Sequence, residues 1–334
     1  MEHITIKYAI HYKYRLEYMN KLIDITKNKI LVTGSSGFLG SHLVKKLKEK
    51  GAKHLFTPRS KEYDLRNLNA CREVVKGMDI VIHLAGYVGG IGLNREHPGE
   101  MFYDNIRMGI FLIDEARKAN VKKFVAMGSI CCYPNYTPVP FKEENLWVGY
   151  PEVTNAPYGF AKKMLLVQSQ AYRQQYGFNS IFLLPVNMYG PGDNFNPESS
   201  HVIPALIKKF YDAKCNNKNE VVIWGTGKAT REFLYVEDAA EGIILATERY
   251  NKPEPVNLGV GFEISIKDLT LLIAKMVNFK GKLVWDKSKP DGQPRRKLDI
   301  SRAKKEFGFV AKKNFEDGLK KEISWYEQNL LGKK

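Results

Sequence analysis

The sequence feature that most constrains the fold is a short apolar run that ends in a glycine-rich turn, KILVTGSSGFLGSHLVKKLKEKG at residues 29–51. The β-branched run predicts a buried strand, and the apolar spacing after the turn predicts a helix that a glycine ends. Glycines at such a junction let the backbone approach a pyrophosphate closely, and the first helical turn offers it free N–H groups. The junction therefore predicts a dinucleotide-binding site that includes Gly34, Ser36, Gly37, Phe38, Leu39 and Gly40.

Strands and helices continue to alternate after this first unit. Further strands are predicted at HLFTP, DIVIHLAG, KKFVAMGS and SIFLLPVNMYGP, separated by helices near 67–76, 98–119 and 157–176. Such alternation indicates an α/β fold, a Rossmann-type doubly wound parallel sheet with helices on both faces. From about residue 186 the chain is rich in Gly, Pro and Asn loops, which predicts a smaller α/β substrate domain.

We therefore divide the chain into an N-terminal extension, residues 1–28, and two interleaved domains. The NADP-binding Rossmann domain is predicted at 29–185, with a segment that returns to it at about 233–250 and contains the helix VEDAAEGIILATERY. The substrate-binding domain is predicted at 186–232 and 251–334, where short strands and helices lack the regular alternation.

Length and composition are those of a globular protein, with 334 residues, 44% of them hydrophobic and 26% charged. Four cysteines form no disulfide pattern, and no CxxC or Cys/His pattern offers ligands to a metal, so we expect a cytoplasmic protein without a metal site. The first 28 residues contain no uninterrupted apolar run, so we expect neither a membrane segment nor a secretory signal there. The net charge of +16 is spread along the chain, as on solvated helix faces, and no recognised module supports a nucleic-acid partner.

The residues after the second predicted strand indicate the cofactor. An NAD-binding fold places an acidic residue there for the ribose hydroxyls, whereas this chain reads FTPRSKEYDL. Arg59 with Ser60 suits a 2′-phosphate and favours NADP(H), the alternative being a plain surface arginine. We expect Asp64 on the adenine side. The remaining cofactor contacts are expected at Leu65, Leu84, Ala85, Gly86, Asn105, Tyr158, Lys162 and Pro185.

A second motif, YGFAK, places Tyr158 and Lys162 four residues apart at the start of a predicted helix. This spacing puts the phenol and the ammonium group on one helix face, where the positive charge is expected to lower the tyrosine pKa from about 10. Such a tyrosine can donate a proton to a carbonyl group that is being reduced. Since the motif follows a dinucleotide-binding half and Ser129 at a strand end, the combination predicts a reductase.

Together the motifs resemble the extended short-chain dehydrogenase/reductases that act on nucleotide sugars, and within them the GDP-L-fucose synthase branch. The resemblance covers roughly residues 29–310 and rests on VTGSSGFLG, LAGYVGGIGLN, MGSICCYP, NAPYGFAKK, LPVNMYGPGDNFNPESSHVIPAL and WGTGKATREFLYVEDAA. VGGI and DNFNPESSHVIPALI are specific to that branch. The resemblance implies a homodimer that uses NADPH for 3,5-epimerisation and 4-reduction of GDP-4-keto-6-deoxy-D-mannose.

The resemblance also implies roles for individual residues. Ser129, Tyr158 and Lys162 would serve the reduction, whereas Cys131 and His201 would serve the epimerisation as base and acid. A thiolate is accessible near neutral pH, and an imidazolium gives up its proton there, so both residue types suit the chemistry. Substrate contacts are expected at Asn187, Lys209, Trp224, Arg231 and Asp291.

MGSICCYP contains two adjacent cysteines, and strand geometry predicts that only one of them faces the site. Neighbouring residues of an extended strand point to opposite sides. Cys131, two positions after Ser129, is therefore expected to face the site, and Cys132 to be a small core residue.

Several alternatives stay open on the sequence. The substrate could be a related GDP-4-keto-6-deoxy sugar such as a heptose, because Ile130 stands where the branch commonly has a second serine. A 4,6-dehydratase or UDP-hexose 4-epimerase is disfavoured, since Cys131 stands where the dehydratase has its acidic pair. A non-catalytic cofactor-binding regulator would typically lack Tyr158 or Lys162. His201 could merely cap a helix, and Ser129 could be a turn residue.

Overall fold

A computed structural model describes residues 22–289 and 291–331 of the chain. Its strands, numbered in chain order, are β1 (Lys29–Thr33), β2 (His54–Phe56), β3 (Ile80–His83), β4 (Lys123–Met127), β5 (Ser180–Pro185), β6 (Asn187–Tyr189), β7 (Glu220–Trp224), β8 (Thr230–Arg231), β9 (Phe233–Tyr235), β10 (Val256–Leu258), β11 (Ile264–Ser265), β12 (Lys282–Asp286) and β13 (Arg295–Arg296).

The α-helices are α1 (Phe38–Glu49), α2 (Leu68–Val74), α3 (Ile91–Glu96), α4 (Pro98–Lys118), α5 (Ala156–Tyr176), α6 (Val202–Cys215), α7 (Val236–Arg249), α8 (Ile266–Met276), α9 (Ser301–Phe307) and α10 (Phe315–Tyr326). Short 3-10 helices occupy Ile130–Cys132 and Glu143–Trp147. A π-helical turn, Glu327–Leu331, follows α10.

Within the described part of the chain, six strands form one parallel sheet in the order β2-β1-β3-β4-β5-β10. Every residue of β3, β4 and β5 is buried. Because successive side chains of a strand point to opposite faces, both faces of the sheet are covered. The predicted Rossmann-type fold is therefore confirmed, and its chain order reverses between β1 and β3, where such sheets bind ligands at the carboxyl ends of the strands.

Two clusters of buried apolar side chains occupy the described residues. The first surrounds the six-stranded sheet, and the second lies around α6, α8 and α10. The helix α7, which the sequence assigned to the Rossmann domain, contributes side chains to the first cluster. The division into domains as a whole stays a prediction.

One part of that division is wrong. β10 pairs in parallel with β5 in the main sheet, and the segment 298–309 contributes Leu298, Phe307 and Phe309 to the first cluster. Both pieces lie in 251–334, which the sequence assigned to the substrate domain. A strand of three residues carries no local signal of the sheet that it joins, so spacing alone could not place it.

The predicted N-terminal extension is described only from residue 22 onwards, and residues 1–21 lie outside the described part. Ile25 is buried in the first cluster, and the Ile23 N–H donates to the Glu248 carbonyl of α7 at 2.9 Å. The end of the extension therefore packs on the Rossmann sheet. Among the described residues, no helix combines the length and the apolarity that a membrane crossing requires.

Candidate active site

The glycine-rich turn after β1 leaves the backbone N–H groups at the start of α1 without side-chain partners. Gly34 has a φ of +67°, and the N–H of Gly37 donates to its carbonyl at 3.0 Å. The N-cap is Gly37, whose lack of a side chain leaves the N–H groups of the first turn without a side-chain cap. A Cβ on Gly40 would lie 2.0 Å from the Gly34 carbonyl oxygen, so only glycine fits there. The turn therefore fits a bound pyrophosphate, as predicted for a dinucleotide cofactor.

The turn after β3, Leu84–Gly86, lies directly beside this glycine turn. A Cβ on Gly34 would come within 2.8 Å of the Ala85 nitrogen. Asn105 of α4 holds the chain after this turn, because its amide donates to the Tyr87 carbonyl at 2.8 Å and accepts from the Tyr87 N–H at 3.1 Å. Asn105 therefore positions the turn, and a direct contact with the cofactor stays a prediction.

The predicted 2′-phosphate and adenine residues follow β2. Arg59 is exposed, and its carbonyl accepts the Tyr63 N–H at 2.9 Å in a compact turn. Asp64 accepts hydrogen bonds from Arg66 at 2.9 and 2.8 Å, which lower the pKa of its carboxyl group. Leu65 is buried beneath this turn. An exposed guanidinium therefore stands at the end of β2, while the Asp64 carboxylate is already paired.

Four predicted catalytic residues meet at the end of β4 and the start of α5. Ser129 follows β4, and its hydroxyl oxygen accepts the Cys131 N–H at 3.2 Å. Tyr158 and Lys162 lie one turn apart on α5, with the ammonium nitrogen 5.8 Å from the centre of the tyrosine ring. A Cβ on Gly159 would come within 2.3 Å of the Cys131 carbonyl, so this glycine lets α5 approach the cysteine turn closely.

The two thiols differ in exposure, although not for the predicted reason. Ile130–Cys132 form a 3-10 helix, so the strand alternation assumed for the two cysteines is wrong. The Ser129 side chain caps this short helix, so the extended backbone ends at Ser129, before the two cysteines. Cys131 is half-buried, whereas Cys132 is fully buried and burial raises the pKa of its thiol to about 12. The helical turn thus leaves one thiol accessible and keeps the other in the core.

Burial dominates the protonation of the tyrosine–lysine pair. It raises the pKa of Tyr158, and the nearby Cys131 and Cys132 raise it further. It lowers the pKa of Lys162 to about 8. The predicted lowering of the tyrosine pKa by the ammonium group is therefore not observed, because desolvation outweighs it. At neutral pH the phenol keeps its proton, as a proton donor must, and Lys162 is still mostly charged.

A positively charged side chain that the sequence had not singled out lies against Cys131. The Arg296 guanidinium of β13 places Nη1 3.9 Å from the Cys131 sulfur. Its Nε donates to Gln293 at 2.8 Å, and Gln293 in turn donates to the Asn135 carbonyl at 2.7 Å. The loop PDGQPRRKLD resembled a substrate-facing segment, which was the one available signal, but it did not indicate which residue reaches the thiol.

Arg231 stands beside Arg296, because β8 and β13 pair in parallel with these two residues in register. Burial, and then the neighbouring Arg296 guanidinium, lower the pKa of Arg231 to about 10. The Arg231 guanidinium donates to the Asp291 carbonyl at 3.2 Å, and the Asp291 carboxylate accepts from Thr226 at 2.6 Å. Two adjacent guanidinium groups make this site suitable for an anion.

The ring of Trp224, at the end of β7, lies near two ammonium groups that come from different segments of the chain. Its side chain is 61% exposed, and the Lys209 and Lys289 nitrogens lie 5.3 and 5.5 Å from its ring centre. Such geometry is typical of cation–π contacts. Asn187 begins β6, and only Val186 separates it from Pro185, the last residue of β5. The contacts of Trp224 and Asn187 with a substrate stay predictions.

His201 occupies the N-cap position of α6, but its side chain makes no capping hydrogen bond. His201 is exposed to solvent as a residue, but protein around the imidazole partly desolvates it and lowers its pKa. The preceding loop is joined to the VGGI segment, because the Gly90 N–H donates to the Ser199 carbonyl at 2.9 Å. The two segments that the sequence marked as branch-specific therefore contact each other directly.

Comparison with known proteins agrees with this geometry. The pattern of the NAD dependent epimerase/dehydratase family matches residues 30–259. A putative GDP-L-fucose synthase 2 of Arabidopsis thaliana is 40% identical over 308 residues, which span 92% of this chain and 94% of the relative. A GDP-L-fucose synthetase of Naegleria fowleri solved with NADP bound has a TM-score of 0.84 and 30% identity, and the match covers 93% of this chain and 97% of that one.

A solved GDP-6-OMe-4-keto-L-xylo-heptose reductase from C. jejuni is also similar, with a TM-score of 0.84 and 29% identity over 92% of this chain and 99% of that one. The resemblance predicted from the motifs and the prediction that the chain is an enzyme are both confirmed. The chain belongs to the NAD dependent epimerase/dehydratase family and groups within it with the GDP-L-fucose synthases.

Proposed function

We propose that this enzyme converts GDP-4-keto-6-deoxy-D-mannose into GDP-L-fucose with NADPH as reductant. The observation that carries the proposal is the accessible thiol of Cys131 beside the reductase residues, held by a turn that Ser129 caps. A simple 4-reductase needs a proton donor and a cofactor but no thiol. A base in the same pocket adds the capacity to invert the carbons next to the ketone.

Epimerisation uses the acidity that the 4-keto group confers on the protons of C3 and C5. The Cys131 thiolate removes such a proton from one face of the ring, and His201, once protonated, returns a proton to the other face. The hydroxyl groups of Ser129 and Tyr158 donate hydrogen bonds to the enolate oxygen in between. Each removal and return inverts one carbon without any change in oxidation state. Between the two inversions the Cys131 thiol releases its proton to solvent and the His201 imidazole takes one up.

Reduction then removes the ketone. The glycine turn would hold NADPH, which would supply the hydride for C4. Tyr158 donates its phenolic proton to the resulting alkoxide, and its raised pKa keeps that proton in place beforehand. The Lys162 ammonium group, 5.8 Å from the tyrosine ring, stabilises the phenolate that remains. One pocket therefore serves both half-reactions with shared hydroxyl groups.

We assign the GDP part of the substrate to the residues around Arg231 and Trp224. Arg231 and Lys209 suit the diphosphate, because both carry positive charge at partly desolvated positions. The exposed Trp224 ring offers a flat apolar surface to the base or the sugar. Asn187 and Asp291 complete the proposed substrate contacts.

The proposed reaction is tested by incubating the protein with GDP-4-keto-6-deoxy-D-mannose and NADPH in deuterated water. GDP-L-fucose labelled at C3 and C5 is the expected product, with one NADPH consumed per sugar. A GDP-4-keto-6-deoxy heptose, assayed in parallel, is the matched competitor. Consumption of NADPH with the heptose but not with the mannose derivative would transfer the function to that alternative.

The cofactor preference gives a separate prediction. Because Arg59 is an exposed cation in the turn after β2, Arg59→Ala should reduce the preference for NADPH over NADH in kcat/KM by about 1.5–3 kcal/mol, the usual worth of a charge-assisted contact. Lys53→Ala is the control, because it removes an exposed cation just before β2 begins. This variant should leave the preference for NADPH unchanged. Equal efficiency with both cofactors before any substitution would contradict the assignment.

We also propose that the enzyme is a cytoplasmic homodimer, with α4 and α5 at the interface. These helices pack on each other, and α4 exposes Phe102 and Tyr103 while α5 exposes Val167. Exposed apolar side chains on a helix pair suit a second copy of the same surface. Light scattering of the purified protein should give twice the chain mass, and the chain mass itself would argue against the dimer.

A further inference from the structure

The proposed mechanism requires a thiolate at Cys131, and a guanidinium group lies directly beside its sulfur. Arg296 lies with Nη1 3.9 Å from the Cys131 sulfur, within the range of a hydrogen bond to sulfur, and both side chains are partly buried. In such surroundings an opposite charge at this distance interacts more strongly than it would in bulk water. The contact joins residues 165 positions apart, so it depends entirely on the packing of β13 against the cysteine turn.

Hydrogen bonds of both its side chain and its backbone hold Arg296 in place. The buried Gln293 accepts its Nε–H at 2.8 Å and itself donates to the Asn135 carbonyl just beyond the cysteine turn. The Arg296 carbonyl accepts the Glu232 N–H at 3.2 Å, and the buried Glu232 carboxylate accepts the Leu298 N–H at 2.7 Å. A guanidinium that is fixed in this way loses little freedom when an anion forms beside it.

The other charged and titratable groups around the thiol leave room for this role. Tyr158 and Cys132 face Cys131 but stay neutral at neutral pH, because burial raises the pKa of both. Arg231 is a second cation near the thiol. The Glu152 carboxylate interacts with both arginines, and hydrogen bonds from Thr154 and Asn155 overcome the effect of burial and lower its pKa.

One carboxylate therefore stands against two guanidinium groups, which leaves a net positive charge beside the sulfur. We propose that Arg296 is the counter-ion of the Cys131 thiolate and so positions the base for proton abstraction. The proposal deepens the proposed epimerisation and rests on it. Arg231 is left for the diphosphate, so the two arginines of the paired strands β8 and β13 divide the anions of the reaction between them.

The test measures thiol reactivity, which needs no sugar substrate. Iodoacetamide reacts with thiolates, and the exposed Cys215 is first replaced by serine, whereas Cys71 and Cys132 are buried. In that background Arg296→Met should slow the alkylation of Cys131 at pH 7 by about 10- to 100-fold, the factor expected for a charge-assisted contact. The pH at which the rate is half-maximal should rise, and Arg296→Lys should restore most of the rate.

Arg295→Met is the matched control, because it removes the same charge from the same short strand. Arg295 is exposed and pairs with Glu263, away from the thiol. This variant should alkylate like the parent, and NADPH binding should be equal in all variants, which shows that each is folded. Unchanged alkylation in Arg296→Met, or equal slowing in Arg295→Met, would overturn the proposal.

The sugar-dependent readout separates this proposal from the proposed function. Exchange of the C3 and C5 protons should fall in Arg296→Met and return in Arg296→Lys. If the protein makes no GDP-L-fucose at all, the alkylation rates still decide whether Arg296 stabilises the thiolate. If it does make GDP-L-fucose and the alkylation rates of parent and Arg296→Met are equal, only the role of Arg296 is wrong.

Discussion

Cys131→Ala should stop the exchange of the C3 and C5 protons of the substrate into deuterated water. Cys131 is the half-buried thiol beside Ser129, and no other group is assigned to remove these protons on that face of the ring. Loss of a general base typically slows proton transfer by about 10²- to 10⁴-fold. NMR of the substrate, incubated with the enzyme and without NADPH, measures the exchange directly.

Cys132→Ala is the control for this prediction. Its thiol is fully buried and neutral, so its removal should affect packing and leave the exchange nearly intact. Exchange that persists in Cys131→Ala but disappears in Cys132→Ala would show that the wrong cysteine was assigned. Exchange that is normal in both variants would remove thiol chemistry from the mechanism.

Tyr158→Phe should show the opposite defect. Hydride transfer should fall by about 10²- to 10⁴-fold, because the alkoxide at C4 loses its proton donor while the ring and its packing are retained. Part of the proton exchange should survive, since the Ser129 hydroxyl can still donate to the enolate oxygen. Oxidation of NADPH, followed by absorbance, measures the first effect, and NMR of the substrate measures the second.

Tyr136→Phe is the matched control, because it removes a phenolic hydroxyl from a side chain that is 93% exposed. It should leave hydride transfer and exchange unchanged. Normal NADPH oxidation in Tyr158→Phe would refute the assignment of the proton donor. Complete loss of exchange in that variant would mean that the Ser129 hydroxyl alone cannot stabilise the enolate, and would contradict the predicted survival of part of the exchange.

Much of the fold and several site residues could be predicted because their signals are local. The strand, glycine turn and helix of residues 29–51 follow one another in the chain, and their spacing determines their geometry. Tyr158 and Lys162 meet because residues four apart share a helix face. Predictions of this kind need no knowledge of how distant segments pack.

Two predictions were wrong because they assumed a local backbone geometry or a single pairwise interaction. An extended strand was expected to carry both thiols, but the Ser129 side chain caps a 3-10 helix there. The ammonium group of Lys162 was expected to lower the tyrosine pKa, but burial from several elements outweighs one charge. Desolvation depends on everything packed around a group, so a pairwise motif cannot determine it.

The sequence by itself determined the Rossmann-type fold, the cofactor turn and the residues Ser129, Cys131, Tyr158 and Lys162 as candidates for one site. Only the tertiary structure decided that β10 joins the main sheet and that Arg296 reaches Cys131. Both depend on the pairing of very short strands, β10 with β5 and β13 with β8. Strands of two or three residues have no periodicity to read, and their partners are chosen by the packing of the whole chain.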